Sequence, residues 1–280
     1  MILKEISIEV SDLEIRIPPP LLILDLNGSL LFRPKWKSES KRESPINRPN
    51  LRQFKDYIFG THFINDLEYQ NFEVMIWSSA QGKNVERMLT SLEISKRDLP
   101  LKFNKIKEEK VKNNDNNLNM RNDFDQINLI EKFNKSISLN DNHHHNNIKH
   151  EVIEIWDRSN MGLNELDYNA KVQTTKDLNK IWSSIVWRDP YQNTQRKKWD
   201  ARNTIIIDDS PDKMSLQPYN LLEIKEYKGE SEDDELLKVI EKLKILRKQS
   251  NISSFIKNGG LKGNIKIEDE EKVSTEQEKT

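Results

Sequence analysis

Asp25 closes the first apolar run of "LLILDLNGSLLF", Ser78 and Ser79 follow "FEVMIW", and Asp208-Asp209-Ser210-Pro211 closes the run "TIIIDDSP". If these runs are adjacent parallel strands, three carboxylates and a hydroxyl converge at one sheet edge. Crowded carboxylates repel unless a cation sits among them, and hard oxygen ligands suit magnesium. With the metal in place, one carboxylate could attack phosphorus to form an aspartyl-phosphate. The equatorial oxygens of the transferred group then need donors, which a Ser hydroxyl, backbone amides and one lysine could supply. Lys176, in "TTKDLNKIW", is the best-placed lysine, expected on a helix just before the third strand.

Each residue also has a plainer reading. Asn27-Gly28 between apolar runs is by itself the strongest short hairpin signal. Ser78 alone reads as a helix cap, Lys176 as a solvated charge, and Asp208-Asp209-Ser210-Pro211 as a turn followed by a cap. The order of the surrounding elements decides for the chemical reading. "LLILDL", "FEVMIW" and "TIIIDD" have the look of strands buried on both faces. Helical patterns lie between and after them, in "LRQFKDYIFGTHFIND", "GKNVERMLTSLE", "DYNAKVQTTKDLNKIWSSI" and "SEDDELLKVIEKLKILRKQ". Alternating strands and helices predict an α/β, doubly wound, mainly parallel sheet, in which ligands sit beyond the carboxyl ends of the strands. On that pattern Asp25 ends a strand rather than opening a hairpin.

Composition sets the boundaries. The 280 residues carry 45 Lys+Arg against 46 Asp+Glu, so no global basic field points to nucleic acid. The absence of cysteine excludes disulfides, thiolate zinc sites and a cysteine nucleophile, and is the usage expected in a reducing compartment. No apolar run approaches the roughly 18 residues of a membrane span, and the first residues lack the Arg-rich, acid-poor look of a mitochondrial presequence. The expectation is a soluble protein of the nucleus or cytoplasm. Residues 1–19 read as an extension and 20–257 as the domain. The Asn-, Lys- and Asp-rich stretch from about 105 to 149 reads as a disordered insertion, and 258–280 as a charged tail. His143, His144 and His145 fall in that insertion without a framework for a metal site, and Trp156, Trp182, Trp187 and Trp199 are expected to pack the core or line a groove.

Taken together, "LLILDLNGSLLF", "VMIWSSAQGKNVERML", "YNAKVQTTKDLNKIW" and "TIIIDDSPDKMSLQPYNLLEI" resemble the four motifs of the haloacid-dehalogenase superfamily. More narrowly they resemble the NLI-interacting-factor-like domain of the RNA polymerase II C-terminal-domain phosphatases. The resemblance implies a magnesium-dependent phosphatase acting on phosphoserine or phosphothreonine in a protein or peptide. In it Asp25 takes the nucleophile's place, Ser78 binds the phosphoryl oxygens and Lys176 neutralises them. Asp209 is the side-chain metal ligand, Asp208 its neighbour in the metal shell, and the backbone carbonyl of Asn27 a further ligand, with Asp25 completing the set. Asn27 stands where active members have a second aspartate, the general acid and base. An amide cannot shuttle a proton, so the alternative expectation is a weak pseudophosphatase that binds a protein or phosphopeptide, as a presequence-receptor subunit of the mitochondrial translocase does. The segment from Arg33 to Asn47 is short where the small polymerase-tail phosphatases carry a β-stranded insertion, which weighs against the polymerase tail as substrate.

Overall fold

Five strands pair side by side, all parallel: β1 (Leu21–Leu24), β2 (Glu73–Trp77), β3 (Glu154–Trp156), β4 (Thr204–Asp208) and β5 (Leu221–Glu223). Their order across the sheet is β5-β4-β1-β2-β3. The chain winds outward from β1 to β3, then crosses to the other side of β1 for β4 and β5. The reversal falls between β1 and β4, where Leu21 pairs with Thr204 and Leu24 with Ile207. Parallel doubly wound sheets open their ligand crevice at that junction, beyond the carboxyl ends of the strands. This computed structural model describes residues 18–34, 44–64, 67–97, 150–188 and 196–262. The stretch 105–149, its three histidines and most of the tail lie outside the described residues.

Helices cover both faces of the sheet, as the unbroken apolar strands require. Leu22 and Leu24 of β1, Val74 and Ile76 of β2, and Ile205 and Ile207 of β4 face one layer. It is supplied by α1 (Leu51–Ile58), α2 (Gly82–Leu92), α4 (Glu235–Arg247) and α5 (Ile252–Lys257). Leu21, Ile23, Met75, Trp77 and Ile206 face the other, built around α3 (Leu178–Ser184), Trp187 and Trp199. The period of two along each strand divides the side chains between two cores. Each large apolar side chain fully buried there is worth roughly 1.5–3 kcal/mol. Trp187 and Trp199 are buried, and Trp156 and Trp182 pack half-buried at the edge, in line with the expected core role. Among the described residues no helix is long and apolar enough to cross a membrane.

Two helical expectations are corrected. "LRQFKDYIFGTHFIND" is helical only to Ile58. After Gly60 it turns into the strand Thr61–Ile64, antiparallel to Leu67–Gln70. "DYNAKVQTTKDLNKIWSSI" is two helices, Glu165–Asn169 and α3, with an extended stretch between. Val172, Thr174 and Thr175 are β-branched and poor helix formers, and Asp177 restarts the helix by accepting the Asn179 amide at 3.0 Å. Lys176 therefore rides on the extended lead-in, one residue before the cap.

Candidate functional site

The site grows out of the junction between β1 and β4. Pairing continues one residue past β1, where the Asp25 amide donates to Ile207 O at 3.0 Å, so Asp25 is held level with Asp208. The chain then turns sharply. Leu30 and Leu31 donate back to Leu26 O, and Leu31–Phe32 pairs with Ile46–Asn47 rather than with β1, so the Asn27-Gly28 turn is not the hairpin that its sequence alone suggests. Gly28 has φ of +90°, and a Cβ there would lie 2.7 Å from Asp209 Oδ2. Only glycine lets this turn lie against Asp209.

Lys176 reaches the same point from the opposite side. Its amide donates to Lys213 O at 2.7 Å, and Gln217 receives the Leu178 amide at 3.1 Å, so the start of α3 is docked on the loop after β4. The fully buried Lys176 ammonium then bridges Asp25 Oδ1 at 2.9 Å and Asp208 Oδ2 at 2.6 Å. Sequence reasoning missed Lys213, which donates to Asp208 Oδ1 at 3.0 Å and lies 3.9 Å from Asp209 Oδ1. Its one sequence signal is the spacing of four from Asp209. Here that spacing spans the short 3-10 turn Pro211–Met214, which folds the lysine back over the strand end. The Ser29 hydroxyl, also missed, donates to Asp209 Oδ1 at 3.5 Å.

Ligand oxygens of Asp25, Asp208 and Asp209 all lie within 4.8 Å of one another, and these three carboxylates could hold a metal ion. Their titration records the crowding. Burial pushes the Asp25 carboxyl up against the pull of Lys176, and the Asp208 charge adds to the push. Burial would also raise Asp208, but Lys176 and Lys213 outweigh it and hold that carboxyl below its ordinary value. Asp209 is pushed up to about 6 by burial and by the charge of Asp25. On Lys213 burial is outweighed by Asp25, Asp208 and Asp209, which raise its pKa. Three carboxylates thus face two ammonium groups, leaving a surplus of negative charge that a hard cation would fit.

The other expected residues stand differently. Asn27 is exposed, and its side-chain oxygen accepts the Arg33 amide at 3.0 Å, so its amide group is not among the cluster's partners. Ser78 is buried at the end of β2. Its hydroxyl accepts the Ala80 amide at 3.2 Å, and among the described residues no hydrogen bond joins it to the aspartates. The Ser78–Ala80 loop is held in place by Arg158, whose amide donates to Ala80 O at 2.9 Å and whose guanidinium binds Ser79 O, Asp167 O, Tyr168 O and Ala170 O.

Residues 142–253 match the family described as NLI interacting factor-like phosphatase. An uncharacterized FCP1 homology domain-containing protein of Schizosaccharomyces pombe is 29% identical over 248 residues, 84% of this chain and 75% of that protein. Over residues 142–253 the chain is thus similar to the NLI interacting factor-like phosphatases. The family match contains Lys176, Asp208, Asp209 and Lys213, whereas Asp25 and Ser78 precede it. The sheet joins the two parts, since β1 and β2 carry the earlier residues to the edge that β4 supplies.

Proposed function

We propose that this protein is a magnesium-dependent phosphatase-like protein acting on phosphoserine or phosphothreonine in proteins or peptides through an aspartyl-phosphate on Asp25. The observation that carries this reading is the bridge Asp25–Lys176–Asp208, with Asp209 completing a trio of oxygens within 4.8 Å. Asp25, Asp208 and Asp209, with the backbone carbonyl of Asn27, would hold the magnesium, which when bound neutralises the carboxylates and the phosphoryl oxygens. Lys176 fixes the orientation of the Asp25 carboxylate, so that its free oxygen attacks phosphorus in line with the departing oxygen. Ser78 and the amides of its loop would receive the equatorial oxygens. The Asn27 amide is not an acid and cannot give its proton to the leaving group. An alkoxide leaving from phosphoserine is then slow to depart, while an aryl oxide, which needs no proton, leaves readily. The lack of cysteine and the balanced charge fit action in the nucleus or cytoplasm, on protein rather than nucleic acid.

A second reading is supported by Asn27 itself, exposed and tied to the Arg33 amide. On that reading the protein is a pseudophosphatase that binds a protein or phosphopeptide without turning it over. Hydrolysis of an aryl phosphate and of a phosphoserine peptide by purified protein with magnesium separates the two. The phosphatase reading expects aryl phosphate turnover that Asp25→Asn abolishes. Tight phosphopeptide binding with no turnover of either compound gives the binding reading precedence.

A further inference from the structure

Both oxygens of Asp208 already accept from donors. Its Oδ2 takes Lys176 at 2.6 Å, and its Oδ1 takes Lys213 at 3.0 Å and the Ser210 amide at 2.9 Å. A divalent ion drawn to Asp208 Oδ1 and Asp209 Oδ1 competes with the Lys213 ammonium, which bonds the first and lies 3.9 Å from the second. The two lysines are not equally placed to yield. Lys176 has no exposed side-chain surface and is enclosed between two carboxylates, whereas the Lys213 side chain is 14% exposed and sits 3.9 Å from Asp209 at the outer side of the cluster. Its short turn is anchored by the buried Met214, so the backbone stays while the four-carbon stem can swing toward solvent.

We infer that Lys213 is a built-in counter-cation of the metal site, bonded to Asp208 and standing beside Asp209, and that it competes with the divalent ion for both carboxylates. The inference rests on the magnesium reading above and gives a residue outside the expected set a role in it. Metal loading then trades one ammonium for one divalent ion, and the ammonium released stays near enough to meet an incoming phosphoryl group. Its consequence is a weakened metal site, because each binding event must break the Lys213 ion pairs and bring two cations within a few ångströms of each other.

Calorimetric titration of the full chain with magnesium chloride tests this, with folding of each variant checked by circular dichroism. Lys213→Met is expected to bind magnesium about tenfold or more tightly than wild type, and Lys213→Arg, which keeps the charge, within about twofold of it. Lys213→Gln is a second neutral variant should the methionine form fail to fold. Equal affinity in wild type and neutral variants would overturn the inference and leave the magnesium reading standing. Tightening in Lys213→Arg as well would overturn it too, since the charge would not be the cause. No binding in any form would overturn both.

Discussion

Arg48 and Lys176 are both cations with no exposed side-chain surface, and they stand on either side of the turn after β1. Arg48 meets one carboxylate, Asp233, through two parallel bonds of 2.8 and 2.9 Å. A third donor goes to Ser29 O at 2.9 Å, and the Tyr227 ring lies 5.3 Å from the guanidinium carbon. Charge there is balanced one to one, and the geometry is the fork that guanidinium and carboxylate both prefer. Lys176 meets two carboxylates, a third lies beside them, and a second lysine is needed to bring the balance near neutral. The two systems touch at Ser29, whose carbonyl belongs to Arg48 and whose hydroxyl reaches Asp209. A balanced, saturated pair fixes a backbone. A cluster with surplus charge keeps a capacity for a further ion.

The sharpest test of that contrast lies at Asn27. If the surplus serves phosphoryl transfer, Asn27→Asp should raise turnover of a phosphoserine peptide by about 10²- to 10⁴-fold, and that of an aryl phosphate much less. The new carboxylate can still accept the Arg33 amide, so the turn should survive, and steady-state kinetics on both compounds would read the difference. No gain on the peptide would count against the phosphatase reading of the cluster. Next in size is Arg48→Met, which takes from the half-buried Asp233 its ion-pair partner, leaving it the Glu235 amide alone, and leaves Ser29 O without its donor. It should cost about 3–5 kcal/mol in urea unfolding. A loss below about 1 kcal/mol would show that the fork is not what fixes the turn.

Those two sites also mark what the sequence made legible. β1, β2 and β4 announce themselves as unbroken apolar runs, and the carboxylates that end β1 and β4 follow directly. β3 and β5 do not, because each is three residues long and only partly buried, so no apolar run marks them. Lys176 could be chosen from its motif, but not its carrier: the β-branched stretch before Asp177 is extended, and its register is set by the Lys213 carbonyl, 37 residues on. Lys213 and Arg48 were hidden for a related reason. A lysine four residues past an aspartate, or an arginine before a proline, has an ordinary solvated reading until the fold supplies its partners. Asn27 shows the converse, for its type is plain in sequence while its exposure and its bond to Arg33 are not.

Lys176→Met should separate the two ionic systems by pH. Burial already raises Asp25 while Lys176 opposes it, so removing the lysine lifts Asp25 further above its unfolded value. A carboxyl with a raised native pKa leaves the fold unharmed while it is protonated, and stability is lost as pH rises through that pKa. The variant should therefore be close to wild type near pH 4 and fall progressively behind it toward pH 8, measured by urea unfolding at each pH. A deficit independent of pH, like the one expected for Arg48→Met, would mean that Lys176 acts by packing alone.

The smallest effect is expected at Gly28, where the turn meets Asp209. Gly28→Ala must pay for a positive φ and for a Cβ that would lie 2.7 Å from Asp209 Oδ2, together on the order of 1–3 kcal/mol. Gly259→Ala provides the control, with φ of +84° but no heavy atom nearer than 3.5 Å to its added Cβ. Both variants carry the backbone cost, so the excess loss at position 28 in thermal unfolding measures the contact with Asp209. Gly28→Ala should also weaken magnesium binding, since Asp209 has to shift, while Gly259→Ala leaves it as it was. Equal losses and equal affinities would mean that Asp209 moves aside freely, and a carboxylate that moves freely is not one held in place for a metal.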